Sequence, residues 1–375
     1  MTSEHGVEIG ADPSRGKISD IRKTRIDPDF WYPLARSKDV RRGKAHPVTF
    51  AGEPIVLVRS KEGKLFALEN RCAHRQVPLH LGVVEDDCIK CSYHGWKYNP
   101  AGKCVSVPYM AKCSLKPQNV RSYPCREAYG LIFVYPGNMD KFAAVDFPNI
   151  PSATDPRYKT RYLDRQVDCH FTFMHENLMD MNHQFLHRSL MGGIKTTLLD
   201  TRIGPNWIEA DYTFSRAGGK QPLGEKLILR KDAKLGKDKP DLMTIRTGYP
   251  YQTLTFRTGG SEHPVLDLWN AYVPVDTAQR TNHTYGLMMI KRPSFPGLIE
   301  LFWPFIVWFT NGIFSQDRAI CELEQAAFDR QGSDANHEIF PLIRSLRKVL
   351  VDSSPSTPVA LPAAQLDLGE DLADR

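Results

Sequence analysis

The chain has 375 residues, 41% of them hydrophobic and 25% charged, with a formal net charge of +6. That length suffices for two domains with sizeable cores, and the composition is that of a soluble globular protein rather than a disordered or fibrous one. The charge excess is modest and comes with no nucleic-acid motif, so no nucleic-acid partner is expected.

Residues 1–27 are polar and are expected to be disordered. They lack the apolar run of a secretory leader. The basic residues Arg22, Lys23, Arg25, Arg36, Lys38, Arg41, Arg42 and Lys44 read as a solvated surface, with a docking face for an acidic electron carrier as the alternative. From Pro47 to Pro136, short β-branched and aromatic runs such as Pro54-Ile55-Val56-Leu57-Val58 and Leu131-Ile132-Phe133-Val134-Tyr135 alternate with Gly, Pro and Asn, which predicts an all-β unit. Four prolines between Pro136 and Tyr158 mark a linker. Beyond Phe171 the pattern predicts a helix, then strands over Trp207–Ser215, Lys226–Lys231, Leu242–Thr247, Thr253–Arg257, Leu266–Val275 and His283–Ile290. Their alternation suits an antiparallel sheet with one covered face. A helix from about Phe314 to Gln331 would pack on that face. Residues 351–375 are rich in Pro, Ser and acidic residues and are expected to be a disordered tail.

Two clusters carry the chemistry. The first is Cys72-Ala73-His74, sixteen residues, then Cys91-Ser92-Tyr93-His94. Cys thiolates suit one iron of a two-iron, two-sulfur cluster, and neutral imidazoles on the other iron raise its potential. Pro78, Gly82 and Gly95 flank the ligands where two loops must fold over a cluster, and Trp96 offers an apolar shield. Zinc also accepts two Cys and two His, but zinc fingers space them C-x-x-C and H-x₃-H, not C-x-H and C-x-x-H; Cys88 and Cys91 do make a C-x-x-C, which leaves a different pairing open. The other six cysteines, Cys88, Cys104, Cys113, Cys125, Cys169 and Cys321, form no framework. Free thiols beside an oxygen-sensitive cluster point to a reducing cytoplasm.

The second cluster is Asn177, Asp180, His183 and His187. The stretch Phe171–His187 has no Pro or Gly, so a single helix is predicted that turns all four toward one side. Two His and a carboxylate make the facial triad of non-haem Fe(II) oxygenases, which leaves metal positions open. Asp317 is the best third ligand, ahead of Glu322 and Glu324, which fit a solvated helix face. Asp180 is assigned to the shell behind the histidines, where a carboxylate on an imidazole N–H fixes the tautomer. Leu178, Leu190 and Met191 are candidate pocket residues. The segment Leu301–Gln316 has no formal charge and contains Phe302, Trp303, Phe305, Ile306, Val307, Trp308, Phe309 and Phe314. Core or subunit-interface packing is expected for it; a pocket wall for a large apolar substrate and a rest on a membrane surface are the alternatives.

In combination these motifs, with Phe30-Trp31-Tyr32-Pro33 and Gln316-Asp317, resemble the catalytic α-subunit of Rieske non-haem iron oxygenases over roughly residues 28 to 350. The resemblance implies an α+β chain: an all-β Rieske [2Fe-2S] domain (28–150) followed by a helix-grip catalytic domain with an antiparallel sheet and helices (151–350). It implies one Rieske cluster on Cys72, His74, Cys91 and His94, and one mononuclear Fe(II) on His183, His187 and Asp317. Asp180 would then carry electrons to iron from His74 or His94 of a neighbouring subunit in a homotrimer, with Asn177 close by. The His-x₃-His spacing is similar to the α-only group of vanillate and caffeine demethylases, carbazole-type enzymes and saxitoxin-pathway hydroxylases. The expected activity is monooxygenation (hydroxylation or oxidative demethylation) of a largely apolar, polycyclic small molecule with O2. With no G-x-G-x-x-G fingerprint in the chain, electrons are expected from a separate ferredoxin or NAD(P)H-dependent reductase. Aromatic cis-dihydroxylation is the alternative reaction. A Rieske electron-transfer protein and a helix-grip ligand-binding protein are the alternatives of other classes.

Overall fold

The computed structural model describes residues 20–108, 118–218, 221–228, 241–259 and 261–355. Residues 20–27, expected to be loose, are packed instead. Ile21 and Ile26 are buried, and Arg22 reaches Thr172 Oγ1 at 2.6 Å and Glu176 at 2.7 Å. A charged partner across the fold anchors a segment whose own composition carries no sign of order.

The N-terminal part contains eleven short strands: β1 (Tyr32–Arg36), β2 (Lys44–Phe50), β3 (Glu53–Arg59), β4 (Leu65–Glu69), β5 (Val83–Glu85), β6 (Cys88–Lys90), β7 (Lys97–Tyr98), β8 (Cys104–Ser106), β9 (Ser122–Tyr123), β10 (Cys125–Ala128) and β11 (Leu131–Val134). They form three antiparallel sheets, ordered β2-β3-β4-β9, β5-β6-β7-β8 and β1-β11-β10. Strand β3 explains its own unbroken apolar run. Its side chains alternate in direction, so Ile55 and Leu57 join the main core while Val56 and Val58 join a smaller one beneath Cys72 and Cys91. A strand covered on both faces has no polar side to show.

The C-terminal part runs α1 (Pro151–Thr154), β12 (Tyr158–Val167), α2 (Phe171–Met179), α3 (Arg188–Met191), β13 (Gly193–Ile203), β14 (Trp207–Gly218), α4 (Leu223–Ile228), β15 (Leu242–Gly248), β16 (Tyr251–Arg257), β17 (Leu266–Pro274), β18 (Asn282–Lys291), α5 (Leu298–Gln331) and α6 (Pro341–Asp352). Its strands make one antiparallel sheet, β12-β18-β17-β16-β15-β14-β13. Helix α2 packs on β15, β17, α5 and α6, and α5 packs on β12 and α4. The sheet and its helices are the architecture the resemblance implied.

Two expectations need correction. Lys226 lies in helix α4, where a strand was predicted over Lys226–Lys231; residues 229–240 lie outside those described. Helix α5 starts at Leu298, not Phe314. The uncharged run in between has no polar face to set a helical period, because one side meets the protein and apolar side chains also cover the other.

An ion network ties the helices to the N-terminal segment. Glu176 accepts from Arg22 and, at 2.7 and 3.1 Å, from Arg347 of α6. Beside it lie two buried histidines. Burial pushes both His170 and His175 down to about 3. Neither nitrogen of His175 has a hydrogen-bond partner, and its ring stands edge-on to Tyr272 at 4.8 Å. Both are neutral in the fold and protonate near 6.5 when the chain unfolds. Their contribution to stability is therefore complete above pH 6.5 and is lost as pH falls toward 3. At pH 5 each should cost roughly 2 kcal/mol. Denaturant unfolding at pH 7.5 and pH 5 should register the loss, and His175→Leu should remove about half of it.

Candidate metal centres

The first centre is built by two loops of the N-terminal part. Cys72 follows β4 and Cys91 follows β6, and each closes a tight turn. Cys72 donates N–H to Val77 and accepts from Gln76; Cys91 donates to Trp96 and accepts from Gly95, all within 2.8–3.1 Å. Gly82 lets the loops close, since a Cβ there would meet the carbonyl oxygen of Lys90 at 2.2 Å. The two sulfurs lie inside, at 2% and 4% residue exposure. The rings of His74 and His94 lie outside with centroids 4.6 Å apart, and His74 stacks on Trp96 at 4.8 Å. The hydroxyl of Tyr98 accepts from the Ala73 N–H at 3.2 Å and stands 3.3 Å from Cys72 Sγ. Its proton is thus free to face the sulfur. Burial pushes the Cys91 thiol up and Cys72 adds to this, while the amides of Tyr93 and His94 pull it down. A sulfur pair indoors, an imidazole pair outdoors and N–H donors on the sulfur fit a [2Fe-2S] cluster with unlike ends. Cys88, the zinc-type partner of Cys91, sits in β6 opposite Glu85.

The second centre does not rest on one helix. Helix α2 ends at Met179, and Asp180 is extended (φ −85°, ψ 91°). A 3₁₀ turn, Met181–Phe185, follows and carries His183; His187 is the N-cap of α3. Local side-chain bonding makes the break. Asp180 Oδ1 accepts from the Asn182 backbone and side-chain N–H groups, both at 2.9 Å, an arrangement that competes with helical hydrogen bonds. The contact from Asp180 to His183 differs from expectation too. It is the main-chain carbonyl of Asp180, not its carboxylate, that accepts from His183 Nδ1, at 2.5 Å.

The result is nevertheless a convergent triad. Ligand atoms of His183, His187 and Asp317 all lie within 4.8 Å of one another. Asp317 Oδ1 is 3.6 Å from His183 Nε2 and 3.2 Å from His187 Nε2. His187 Nδ1 is held by Gln316 Oε1 at 2.9 Å, and Gln316 Nε2 donates to Ser189 at 3.2 Å. With both Nδ1 atoms bonded to protein acceptors, both Nε2 lone pairs are left for a metal. Burial pulls His187 down, but Asp317 and Gln316 push it up further, for a net rise. Asp317 Oδ1 is buried without a hydrogen-bond partner among the described residues. An orphaned carboxylate oxygen facing two imidazole lone pairs fits a divalent cation of the facial-triad type. Glu322 pairs with Arg318 at 2.7 Å, as its solvated-face reading expects, and neither it nor Glu324 joins the triad.

A cavity of about 460 Å³ opens on the triad. Leu178 and Met191 line it as expected; Leu190 packs beneath Gly312 of α5 instead. Its helix side, with Phe309, Ile313 and Phe314, is the pocket wall that was the alternative reading of Leu301–Gln316, beside the core or interface packing expected there; its sheet side, with Leu254, Phe256 and Met288, was missed because nothing local separates a pocket wall from a core. Asn177 faces a second cavity of about 50 Å³ that also touches Asp317 and Arg165.

Comparison with known proteins agrees with this geometry. Residues 30–124 match the Rieske [2Fe-2S] domain family and residues 167–340 the vanillate O-demethylase oxygenase C-terminal domain family. The chain belongs to the Rieske non-haem iron oxygenases. It is 27% identical over 353 residues to a 4beta-methylsterol monooxygenase of Methylococcus capsulatus, covering 91% of this chain and 92% of that protein. It is 35% identical over 166 residues to a chloroplastic chlorophyllide a oxygenase of Oryza sativa subsp. japonica, a match over 43% of this chain but only 29% of the relative's length. The structure of dicamba monooxygenase bound to dicamba superposes with a TM-score of 0.69 at 20% identity, covering 88% of this chain and 97% of the other, a likeness of fold. This Rieske oxygenase is an oxidoreductase whose cofactors are a [2Fe-2S] cluster and a mononuclear iron, and it works with O2, an organic substrate and an external electron donor.

Metal titration separates the roles. Asp317→Ala should abolish tight binding of Fe(II) or Co(II) at the triad, and Gln316→Leu should weaken it by roughly 10–100-fold with little effect on folding. Tyr98→Phe should lower the reduction potential of the cluster by roughly a few tens of millivolts, because a hydrogen bond to sulfur favours the reduced, more negative state; an EPR-monitored redox titration reads this.

Proposed function

We propose that the chain monooxygenates a large, mostly hydrocarbon, polycyclic substrate of the sterol class, by hydroxylation or oxidative demethylation. The observation that carries this is the apolar cavity of about 460 Å³ that shares its wall with His183, His187 and Asp317. The activities of the methylsterol and chlorophyllide relatives favour a polycyclic substrate of that size. Ferrous iron bound there supplies oxygen activation, and the Rieske cluster supplies electrons. The protein supplies the rest. Leu254, Phe256, Phe309 and Phe314 exclude water and hold one C–H bond toward the triad; Gln316 holds the His187 ring in register. Purified holoprotein supplied with a reductase, a 4-methylsterol and ¹⁸O₂ should yield a product with one ¹⁸O atom. Two ¹⁸O atoms as a cis-diol would instead establish dihydroxylation. NADH without a reductase should give no turnover.

The assignment of site residues is part of this proposal: Cys72, His74, Cys91 and His94 for the cluster; His183, His187 and Asp317 for iron; Asp180 as the bridge. So is a boundary near residue 150 between a Rieske and a catalytic domain. A homotrimer is part of the proposal too, and the placement of the groups supports it. His74 and His94 are on the surface, the Tyr93 ring packs on His94 at 3.8 Å, and Leu81, Val83 and Tyr93 are exposed. Phe185, beside His183, is 70% exposed, and Asp180 Oδ2 carries no hydrogen bond among the described residues. A second copy docking its cluster face there would cover both. Phe185→Glu should turn a trimer into monomers by light scattering and slow electron delivery to the triad, with iron content unchanged.

Helix α5 also suggests a peripheral membrane contact. It is long and apolar enough to span a bilayer by length and composition, which is weak support by itself. Its inner face lines the cavity, while Leu301 and Trp308 are 73% and 63% exposed, the disposition of an interfacial rather than a spanning helix. Cytoplasmic residence belongs to the same proposal and is supported by seven described cysteines that are all unpaired.

A further inference from the structure

One patch of the cavity wall gathers three hydrogen-bonded polar side chains. Arg216, at the end of β14, Gln221, and Glu225 on α4 meet there. Helix α4 is pressed onto α5, where a Cβ on Gly224 would meet the Phe309 ring at 2.4 Å, and Glu225 is only 8% exposed. One carboxylate oxygen of Glu225 accepts from Gln221 Nε2 at 2.9 Å; the other accepts from Arg216 Nη2. Arg216 Nη1 donates to the Met191 carbonyl at 3.0 Å. The Met191 N–H in turn bonds the carbonyl of His187 at 2.8 Å, so the guanidinium also braces the turn after a triad residue.

The hydrogen-bonding inventory of this patch is incomplete. A guanidinium has five N–H donors, and Arg216 directs two of its groups to protein acceptors. The amide oxygen of Gln221 accepts no hydrogen bond among the described residues. Spare donors and a spare acceptor therefore sit side by side, in a chamber whose other polar lining outside the triad is Gln184, Ser215, Asp241 and Thr310. The ion pair is neutral as a unit, so it does not call for a charged ligand. A hydroxyl group, one donor with two acceptor lone pairs, matches it. A buried hydroxyl left unpaired is destabilising, so a substrate with one alcohol on a hydrocarbon skeleton is steered to place it here.

We propose that Arg216, Gln221 and Glu225 form a hydroxyl-anchoring subsite that grips the single alcohol of a sterol-class substrate and thereby selects which carbon faces His183, His187 and Asp317. This rests on the substrate class proposed above and names the residues that read it. The pair Arg216–Glu225 sets the donor, Gln221 supplies the acceptor, and the apolar walls add bulk affinity with little orientation. Discrimination then comes from the polar groups, which are left unpaired by a skeleton that lacks the alcohol.

The test is equilibrium binding of cholestanol and of cholestane, the same skeleton without the hydroxyl, to purified holoprotein, followed by tryptophan quenching. Wild-type protein should bind cholestanol at least about tenfold tighter. Gln221→Leu should shrink that gap to less than about threefold while leaving cholestane affinity unchanged. Glu225→Gln leaves Arg216 without its counter-charge, so it should gain affinity for cholestanol sulfate relative to cholestanol, a reversal that loss of packing would not produce. Equal wild-type affinity for the two skeletons overturns the anchor and leaves the sterol reading standing. Binding of neither overturns the substrate class, and the anchor with it. A preference that survives both substitutions also overturns the anchor.

Discussion

Asp317 holds a carboxylate oxygen, buried and without a hydrogen-bond donor, against the bare Nε2 atoms of two imidazoles. An unsatisfied buried acceptor costs roughly 1–3 kcal/mol, and three groups that all present lone pairs to one point gain nothing from one another without a cation. The C-terminal half of the fold is organised to hold this arrangement against relaxation. Gln316 and the Asp180 carbonyl fix both rings from behind. The long helix α5 carries Asp317 at a depth that a loop could not hold. The Glu176 network clamps α2 to α6 and to the N-terminal segment on the far side. Strain of this kind persists only where the surroundings over-determine it.

The cluster-type centre uses the opposite arrangement. Its sulfurs are sunk in a small core and its imidazoles are offered to solvent, while the triad is sunk and opens on an apolar chamber. The strand β3 lies between the two cores and belongs to both, so the halves of the chain share packing although their chemistries face different ways. An electron carrier needs an accessible edge, and an oxygen-activating centre needs a dry one. The burial pattern supplies each.

The part of this arrangement written in short sequence intervals was legible. C-x-H and C-x-x-H mark, by spacing alone, the two loops whose His74 and His94 rings the fold brings together, and most strands of the large sheet announce themselves by alternation. Asp317 was found by elimination among acids after an apolar run. The break at Asp180 was not read, because nothing in the absence of Pro and Gly betrays an aspartate whose side chain takes the amide two residues ahead. The start of α5 was hidden for a different reason: a helix apolar on both sides has no period. Strands β12 and β13 went unread, and the apolar run Leu227-Ile228-Leu229 disguised α4. The Arg216–Gln221–Glu225 patch joins residues whose meaning exists only once β14 and α4 face the same chamber.

Helix α5 combines two duties on one rigid rod. Phe309, Ile313 and Phe314 shape the chamber, and Asp317 follows within a single turn. A substitution that reshapes the helix wall therefore displaces the carboxylate as well, whereas one on β16 or β17 leaves it where it was. Diversification of this scaffold toward new molecules, in nature or in the laboratory, should accordingly drift along the sheet and stay frozen along the rod.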